Sequence, residues 1–274
     1  LTDTGKTFKT IYIPEEINGQ AVTNINLSYL DNLETLYIPS QAKGTLSCCG
    51  DPKLTTVIIG DNSGLTGTGM GGFCDSENLS VLELGENSIF TEIYDNSFTG
   101  TKLQKIELPD SVNIGRTAFQ NCEALKTVII GENATIGENA FSGCSSLESI
   151  TMGDNVTLAT SCFSGADKIT QIIIPDGTTS IPGSAFNSCD LLTTVTIPAS
   201  VTDIYYRAFR SCPISTINYL GTKEQWNAIN KIDGWDERVG DYTVVCTDGN
   251  IIPGEEEPEV PGVPDDPVEI VPQS

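Results

Sequence analysis

Cysteines in a repeated context are the residues of this chain that could most directly do chemistry. The stretch "NAFSGCSSL" at residues 139–147 follows a related stretch, "TAFQNCEAL", by 22 residues, and both place Ala-Phe before a Cys. A thiol can act as a nucleophile, bind a metal or form a disulfide. Cys122, Cys144, Cys189 and Cys212 each lie two or three residues before an apolar hexapeptide, so they occupy one equivalent position.

The number and spacing of the cysteines favour packing over chemistry. The nine cysteines are an odd number, no C-x-x-C pair is present, and the chain has no histidine. These features indicate neither a complete disulfide framework nor a zinc site, and they predict a ladder of buried thiols that pack as small apolar groups. Adjacent Cys48 and Cys49, together with Cys74, leave a metal site open as an alternative.

Acidic residues form a second regular series, which we call the acidic column. Each member directly follows a Pro or Gly, and the members are Asp61, Glu86, Asp110, Glu132, Asp154 and Asp176. Unit charges stacked about 5 Å apart repel each other by roughly 0.8 kcal/mol in water, so other groups or ions are expected to offset this repulsion. The favoured interpretation is solvated turn residues screened by salt. The alternative is a groove that binds Ca²⁺ or a basic partner, although no EF-hand spacing supports calcium directly.

The overall charge excludes several classes of partner. Asp and Glu number 37 against 14 Lys and Arg, which gives a formal net charge of −23. Nucleic acids and anionic membranes attract basic surfaces, so neither is an expected partner. No run of about 18 apolar residues is present, so the sequence predicts no membrane-spanning helix.

One apolar phrase recurs along the chain and defines the elements that position these residues. Its copies are "FKTIYI", "LETLYI", "LTTVII", "LSVLEL", "LQKIEL", "LKTVII", "LESITM", "ITQIII", "LTTVTI" and "ISTINY", starting at residues 8, 33, 54, 79, 103, 125, 147, 169, 192 and 214. A period of 20 to 29 residues with an L-x-x-L-x-L core is typical of leucine-rich repeats. One such coil cannot bury enough apolar surface alone, so the phrases are predicted to stack as parallel strands.

The residues after each phrase predict the rest of the coil. Pro or Gly ends each strand, and in the later repeats a second short apolar stretch leads into Phe119, Phe141, Phe163, Phe186 and Phe209, which are expected to form an internal aromatic column. Neighbouring coils lie about 4.8 Å apart with parallel Cα–Cβ bonds, so disulfides between ladder cysteines are disfavoured.

The later repeats resemble the bacterial leucine-rich repeat family of the BspA type, also called the Treponema-type repeat. The resemblance covers residues 8 to about 247 and is most specific in "LQKIELPDSVNIGRTAFQNCEALKTVII" and "LTTVTIPASVTDIYYRAFRSCPISTI", whereas "CCGDPKL" and "GMGGFCDSENL" depart from the pattern. It implies a right-handed leucine-rich repeat solenoid of the α/β class, with short parallel strands and short helical or 3-10 turns. It also implies a secreted or surface-anchored bacterial protein linked to adhesion or host contact, and it carries no catalytic residues to transfer.

Alternation within each phrase points the third and fifth residues out of the sheet. Tyr12, Tyr37 and Ile58 are therefore predicted to form an apolar patch on the exposed face, followed in the same row by Glu83 and Glu107. Exposed aromatic residues at such positions can be binding hot spots or can simply shield the sheet. Glu83 and Glu107 could serve as a catalytic carboxylate pair, but an open sheet would not desolvate them, so no enzyme activity is expected.

The ends of the sequence predict the domain organisation. Residues 1–252 are expected to form the solenoid, with an N-terminal cap at about 1–30, repeats at about 31–220 and a C-terminal cap at about 221–252. Trp226, Ile229 and Ile232 are spaced for one face of a short helix in that cap, with Trp226 and Trp235 in the core. Residues 253–274 contain seven acids, six prolines and no base, which favours an extended linker or stalk.

These patterns together predict a noncatalytic, monomeric binding module. The predicted partner is a protein or glycan bound through the sheet face, outside the cell or at its surface, without a cofactor apart from the calcium alternative. The competing hypothesis is a structural spacer without a ligand of its own.

Overall fold

A computed structural model describes residues 8–254 of the chain. The backbone coils regularly, and each coil contributes one strand to a main sheet face and, in most coils, a shorter strand to a second row. In chain order the strands are β1 (Thr10–Tyr12), β2 (Glu16–Ile17), β3 (Gln20–Ala21), β4 (Thr23–Asn26), β5 (Thr35–Ile38), β6 (Lys43–Ser47), β7 (Thr56–Ile59), β8 (Gly64–Thr68), β9 (Val81–Leu84), β10 (Glu92–Ile93), β11 (Lys105–Leu108), β12 (Asn113–Ile114), β13 (Thr127–Ile130), β14 (Thr135–Ile136), β15 (Ser149–Met152), β16 (Thr157–Leu158), β17 (Gln171–Ile173), β18 (Ser180–Ile181), β19 (Thr194–Ile197), β20 (Asp203–Ile204), β21 (Thr216–Tyr219), β22 (Asn230–Lys231), β23 (Thr243–Cys246) and β24 (Gly249–Ile251).

The main face is built from the repeated phrases, as the sequence predicts, but its hydrogen-bonded ladder is interrupted twice. The sheets run in the orders β1-β5-β7-β9, β11-β13-β15 and β17-β19-β21-β23-β24. All neighbouring pairs are parallel except the final β23–β24 hairpin. The second row continues past the first interruption in the order β16-β14-β12-β10-β8-β6-β4 and then restarts with β18-β20-β22. The fold is therefore a parallel β-solenoid whose main face is divided into three segments.

Aromatic rings form a continuous column through the core. The five predicted phenylalanines are fully buried, and Phe73 and Phe98 extend the column towards the N-terminus. Successive rings are stacked with centroids 5.0 to 5.7 Å apart. Burying each side chain contributes about 2 to 3 kcal/mol, so the column is a large share of the stabilisation between coils.

The turns around the column are not helical, and this corrects the expected short helical or 3-10 turns. Asn121 and Ser188, two residues after their phenylalanines, have φ of 57° and 58°, in the left-handed region. Their N–H groups donate to carbonyls of the following coil, Ser142 for Asn121 and Arg210 for Ser188, both at 2.8 Å. Because these amides bond between coils, they are not available for successive bonds within a helix. This explains why Asn, Ser or Gly stands two residues after each of the five predicted phenylalanines.

The C-terminal end closes the column with the only α-helix of residues 8–254. This helix, α1 (Lys223–Ala228), begins at Thr222, whose hydroxyl accepts from the Gln225 N–H while the Gln225 side chain accepts from the Thr222 N–H. Trp226 and Trp235 are buried as predicted, and Trp235 packs edge-on against the last phenylalanine at 6.2 Å. The three-residue helix face is only partly confirmed, because Ile232 lies beyond the helix and is 38% exposed.

The predicted linker lies almost wholly outside the described residues. Only residues 253 and 254 of the segment 253–274 are included. Within residues 8–254 no helix has the length and hydropathy needed to cross a membrane.

Candidate binding face

The structure places the residues of the predicted aromatic patch side by side on the main face. The parallel register pairs Tyr12 with Tyr37 and Tyr37 with Ile58. The two tyrosine rings stack with centroids 4.5 Å apart and planes 3° from parallel. Tyr12 is 70% exposed, whereas Tyr37 is half-buried between its neighbours. The stack orders both rings before any ligand arrives, so binding there would cost little side-chain entropy.

Glu83 continues the same row, but Glu107 lies across the first interruption of the ladder. Glu83 pairs in register with Ile58, and no strand pairing joins β9 to β11. Glu107 forms an ion pair with Lys105 of its own strand. Both glutamates are exposed. Water therefore solvates the two carboxylates, and the low-dielectric surroundings that tune catalytic acids are missing here.

A cleft opens where the ladder is interrupted, which the sequence did not predict. Its volume is about 810 Å³, within the range of roughly 300 to 1,000 Å³ typical of ligand pockets. Four carboxylates line it, those of Asp61, Glu83, Glu86 and Glu107, against the single base Lys105. A smaller cavity of about 320 Å³ adjoins it around Leu84, Gly85 and Pro109. Leu82 and Leu84, which point inward by alternation, are only partly buried there.

The acidic column is built into the corners of the coils. Each of its six members is exposed. The next residue has positive φ in every case: Asn62, Asn87, Ser111, Asn133, Asn155 and Gly177. The Asp61 carboxylate accepts from the Glu86 N–H at 2.8 Å, and the Asp110 carboxylate accepts from the Glu132 N–H at 2.9 Å. These bonds provide part of the compensation that a row of like charges requires.

The column does not bring three carboxylates close enough for a shared ion. Among residues 8–254, the only group of three possible ligands within 4.8 Å is Cys49, Cys74 and Asp75. Calcium binding by the column stays a prediction, and it would need side-chain rearrangement or ligands from a partner.

The cysteine ladder is buried, as predicted. Cys122, Cys144, Cys189 and Cys212 are free and at most 1% exposed. The thiol of Cys122 donates to the carbonyl of Phe98, the column phenylalanine of the preceding coil, at 3.0 Å. The thiols of Cys144, Cys189 and Cys212 make the equivalent contact with the carbonyls of Phe119, Phe163 and Phe186, respectively. Burial raises the pKa of Cys122 to about 11. All four thiols are inaccessible to solvent and so are poorly placed to act as nucleophiles, which gives the ladder a packing and hydrogen-bonding role.

Equivalent positions in the early coils hold other polar residues. Ser76 donates its hydroxyl to the Cys48 carbonyl at 2.8 Å in the same way as the thiols. Asp51 differs, because one carboxylate oxygen accepts from the Leu30 N–H at 2.5 Å and the other has no hydrogen-bond partner among residues 8–254. Burial raises the pKa of this carboxyl from 3.8 to about 6. The early coils therefore carry a buried ionisable group that sequence analysis did not single out.

A disulfide joins Cys49 to Cys74 across two neighbouring coils, with a Cα–Cα distance of 4.7 Å. Parallel Cα–Cβ bonds in successive coils disfavour bridges between ladder cysteines. Cys49 and Cys74 lie outside the ladder, in turns where Gly50, Gly71 and Gly72 have positive φ, so that constraint does not apply to them. The bond also occupies both thiols, which removes the metal alternative for Cys48, Cys49 and Cys74 in the oxidised protein.

The stacked phrases, the phenylalanine column and the open sheet face define a leucine-rich repeat solenoid, a class that is generally noncatalytic. The family model for the BspA type leucine rich repeat region matches in six copies, over residues 46–159 and 113–229. The chain belongs to this family.

The chain is similar to solved structures of several bacterial proteins. A leucine-rich repeat protein from Bacteroides ovatus ATCC 8483 is 19% identical with a TM-score of 0.50, covering 81% of this chain and 68% of that one. A leucine rich cell surface protein from Faecalibacterium prausnitzii A2-165 is 20% identical with a TM-score of 0.34, covering 82% and 91%. The pneumococcal vaccine antigen PcpA is 14% identical with a TM-score of 0.32, covering 90% and 80%. No curated protein matches the chain.

Proposed function

We propose that this chain is a noncatalytic module, secreted or displayed on a bacterial surface, that binds a protein or glycan through its main sheet face. The observation that carries the proposal is the Tyr12–Tyr37 stack on the main face, in which Tyr12 is exposed and Tyr37 half-buried, with Ile58 beside it in register. Flat, preformed aromatic surface supplies contact area at low entropic cost, and tyrosine is enriched among binding hot spots. Family membership agrees with a role in interactions mediated by the repeats.

Binding to an array of host matrix proteins and glycans tests the proposal. A Tyr12→Ala/Tyr37→Ala protein should lose any ligand that the native protein retains. A Tyr94→Ala/Tyr205→Ala protein is the matched control, because it removes two exposed tyrosines that lie outside the main face.

Each outcome separates the proposal from its alternative. Loss of a ligand in the first variant and retention in the control would support recognition by the aromatic patch. Equal binding by all three proteins would place recognition elsewhere. Absence of any ligand for a well-folded sample would favour the structural spacer.

A further inference from the structure

The interruption between β9 and β11 leaves two strand edges facing each other without pairing. The Val81 N–H donates to the Thr55 carbonyl of the preceding coil at 3.0 Å. On the other side of the gap, the Gln104 carbonyl accepts from the Thr127 N–H of the following coil at 3.3 Å. Because successive residues of a strand direct their backbone groups to opposite edges, Leu82 and Leu84 face the gap from β9, and Lys105 and Glu107 face it from β11.

The gap is a local opening between two coils that stay joined on either side of it. Immediately before the strands, the Lys102 N–H still donates to the Leu79 carbonyl at 2.8 Å. The second row remains paired through β8, β10 and β12. The two coils are therefore held together on both sides of the cleft, so the two strand edges are fixed in place on a rigid scaffold.

Unpaired strand edges can bind extended peptides, and the charge of the side chains around the edges determines which peptides are favoured. A bare edge pairs indiscriminately unless charged residues guard it, and here Glu83, Lys105 and Glu107 stand beside the opening. With Asp61 and Glu86 the lining carries four acids and one base. An acidic peptide would be repelled, which argues against the chain's own segment 253–274, with its seven acids and no base. A second copy of a chain with net charge −23 is disfavoured for the same reason.

We propose that this cleft binds an extended, basic segment of a partner protein by β-strand addition. The added strand would accept and donate backbone hydrogen bonds at Leu82 and Leu84 on one side and at Lys105 and Glu107 on the other. Its outward side chains would lie between Glu83 and Glu107 and favour Lys or Arg. Its inward side chains would cover the partly buried Leu82 and Leu84 and favour Val or Ile. The partner motif is thus an alternation of basic and apolar residues.

This inference deepens the proposed binding function and rests on its claim that the partner is reached through the main face. The direct test uses a capped, fluorescent peptide of sequence Thr-Val-Lys-Val-Lys-Val-Thr and measures its affinity for the native protein by anisotropy. Two matched peptides serve as controls: one has Glu in place of both Lys residues, and the other is N-methylated at its Val residues and cannot complete the ladder. Each control should bind at least about tenfold more weakly.

Protein variants locate the site. Glu83→Lys/Glu107→Lys should weaken binding of the Lys peptide by at least about tenfold. Glu123→Lys/Glu138→Lys makes the same change in net charge at exposed residues outside the cleft and should leave the affinity within about twofold. Tyr12→Ala/Tyr37→Ala should also retain the peptide, so failure of the aromatic-patch proposal and failure of this one are distinguishable.

Hydrogen exchange tests strand addition itself. The amides of Leu82, Leu84, Lys105 and Glu107 should gain protection when the Lys peptide is bound, while those of Gln171 and Ile173 at the second interruption should not. Equal affinity of the N-methylated peptide, no binding of the Lys peptide, or protection elsewhere would each overturn the proposal.

Discussion

Single side chains in this protein serve mainly to join one coil to the next. The Asp110 carboxylate bonds to the backbone of the following coil, and the Cys122 thiol bonds to the backbone of the preceding one. Such contacts explain why acids and thiols recur at fixed positions without forming a reactive centre. A residue of a type that is often catalytic or metal-binding can therefore have a purely structural role in this fold.

Replacing Asp110 by Ala should lower the free energy of unfolding by about 1 kcal/mol, because the Glu132 N–H loses its acceptor. Glu132→Ala removes an equally exposed carboxylate of the column and should change stability by less than about 0.5 kcal/mol. Thermal melts of both variants in EDTA and in excess Ca²⁺ provide the measurement. A midpoint that Ca²⁺ raises in the native protein but not in the variants would instead support a metal site in the column.

Asp51 should make stability depend on pH. Its pKa in the folded protein, about 6, lies above the ordinary value of 3.8 because of burial, so the ionised form destabilises the folded state. The destabilisation is full above about pH 6 and disappears as the pH falls below about 4. Asp51→Asn should therefore be more stable than the native protein at pH 7.5, and the difference should shrink towards pH 4.

The exposed Asp75 provides the control for this pH dependence, since Asp75→Asn also removes one carboxylate. Urea unfolding of the three proteins at both pH values is the measurement. A difference between native protein and Asp51→Asn that stays constant from pH 4 to pH 7.5 would contradict the raised pKa.

At the scale of elements, the repeated phrases fix the strands but not their pairing. "LSVLEL" and "LQKIEL" match the strand pattern as well as any other pair of phrases, yet β9 and β11 do not pair. Side-chain alternation reports which face of a strand is buried, whereas pairing between coils also depends on the shape of the turns that connect them. Strand positions, the phenylalanine column and the Tyr12–Tyr37 row could thus be predicted, and the cleft could not.

The repeat period does not predict the Cys49–Cys74 disulfide either, for a related reason. Its residues are one position off the phenylalanine column, in turns whose backbone no periodicity describes. Cys49 and Cys74 each directly follow a column position, Cys48 and Phe73, and this distinguishes them from the ladder cysteines.

Reducing this bridge should lower the melting temperature of the N-terminal coils. A closed loop of about 25 residues contributes roughly 3 kcal/mol in the chain-entropy model. Cys49→Ser/Cys74→Ser should melt at a lower temperature than the native protein under oxidising conditions, and a reductant should lower the midpoint of the native protein alone. An equal response of both proteins to the reductant would mean that the bridge does not form.

At the scale of the whole molecule, each coil is stabilised mainly by contacts with the coil before it and the coil after it. Phe141 stacks on Phe119 and Phe163 at 5.0 and 5.2 Å, so its loss removes contacts on both sides. Phe141→Ala should destabilise the protein by about 3 to 5 kcal/mol and can split urea unfolding into two transitions, because each half keeps its own neighbours. Tyr94→Ala, an exposed aromatic, should cost less than about 0.5 kcal/mol.

Linear stacking also determines how the chain would respond to mechanical load. Pulled from its two ends, a solenoid releases one coil at a time, and every released residue adds up to about 3.4 Å of contour length. The disulfide between residues 49 and 74 prevents the 25-residue segment between them from being pulled out. The contour length lost in this way is roughly 85 Å. The oxidised molecule would therefore be shorter at full extension than the reduced one, so that the redox state of its surroundings sets how far the protein can stretch.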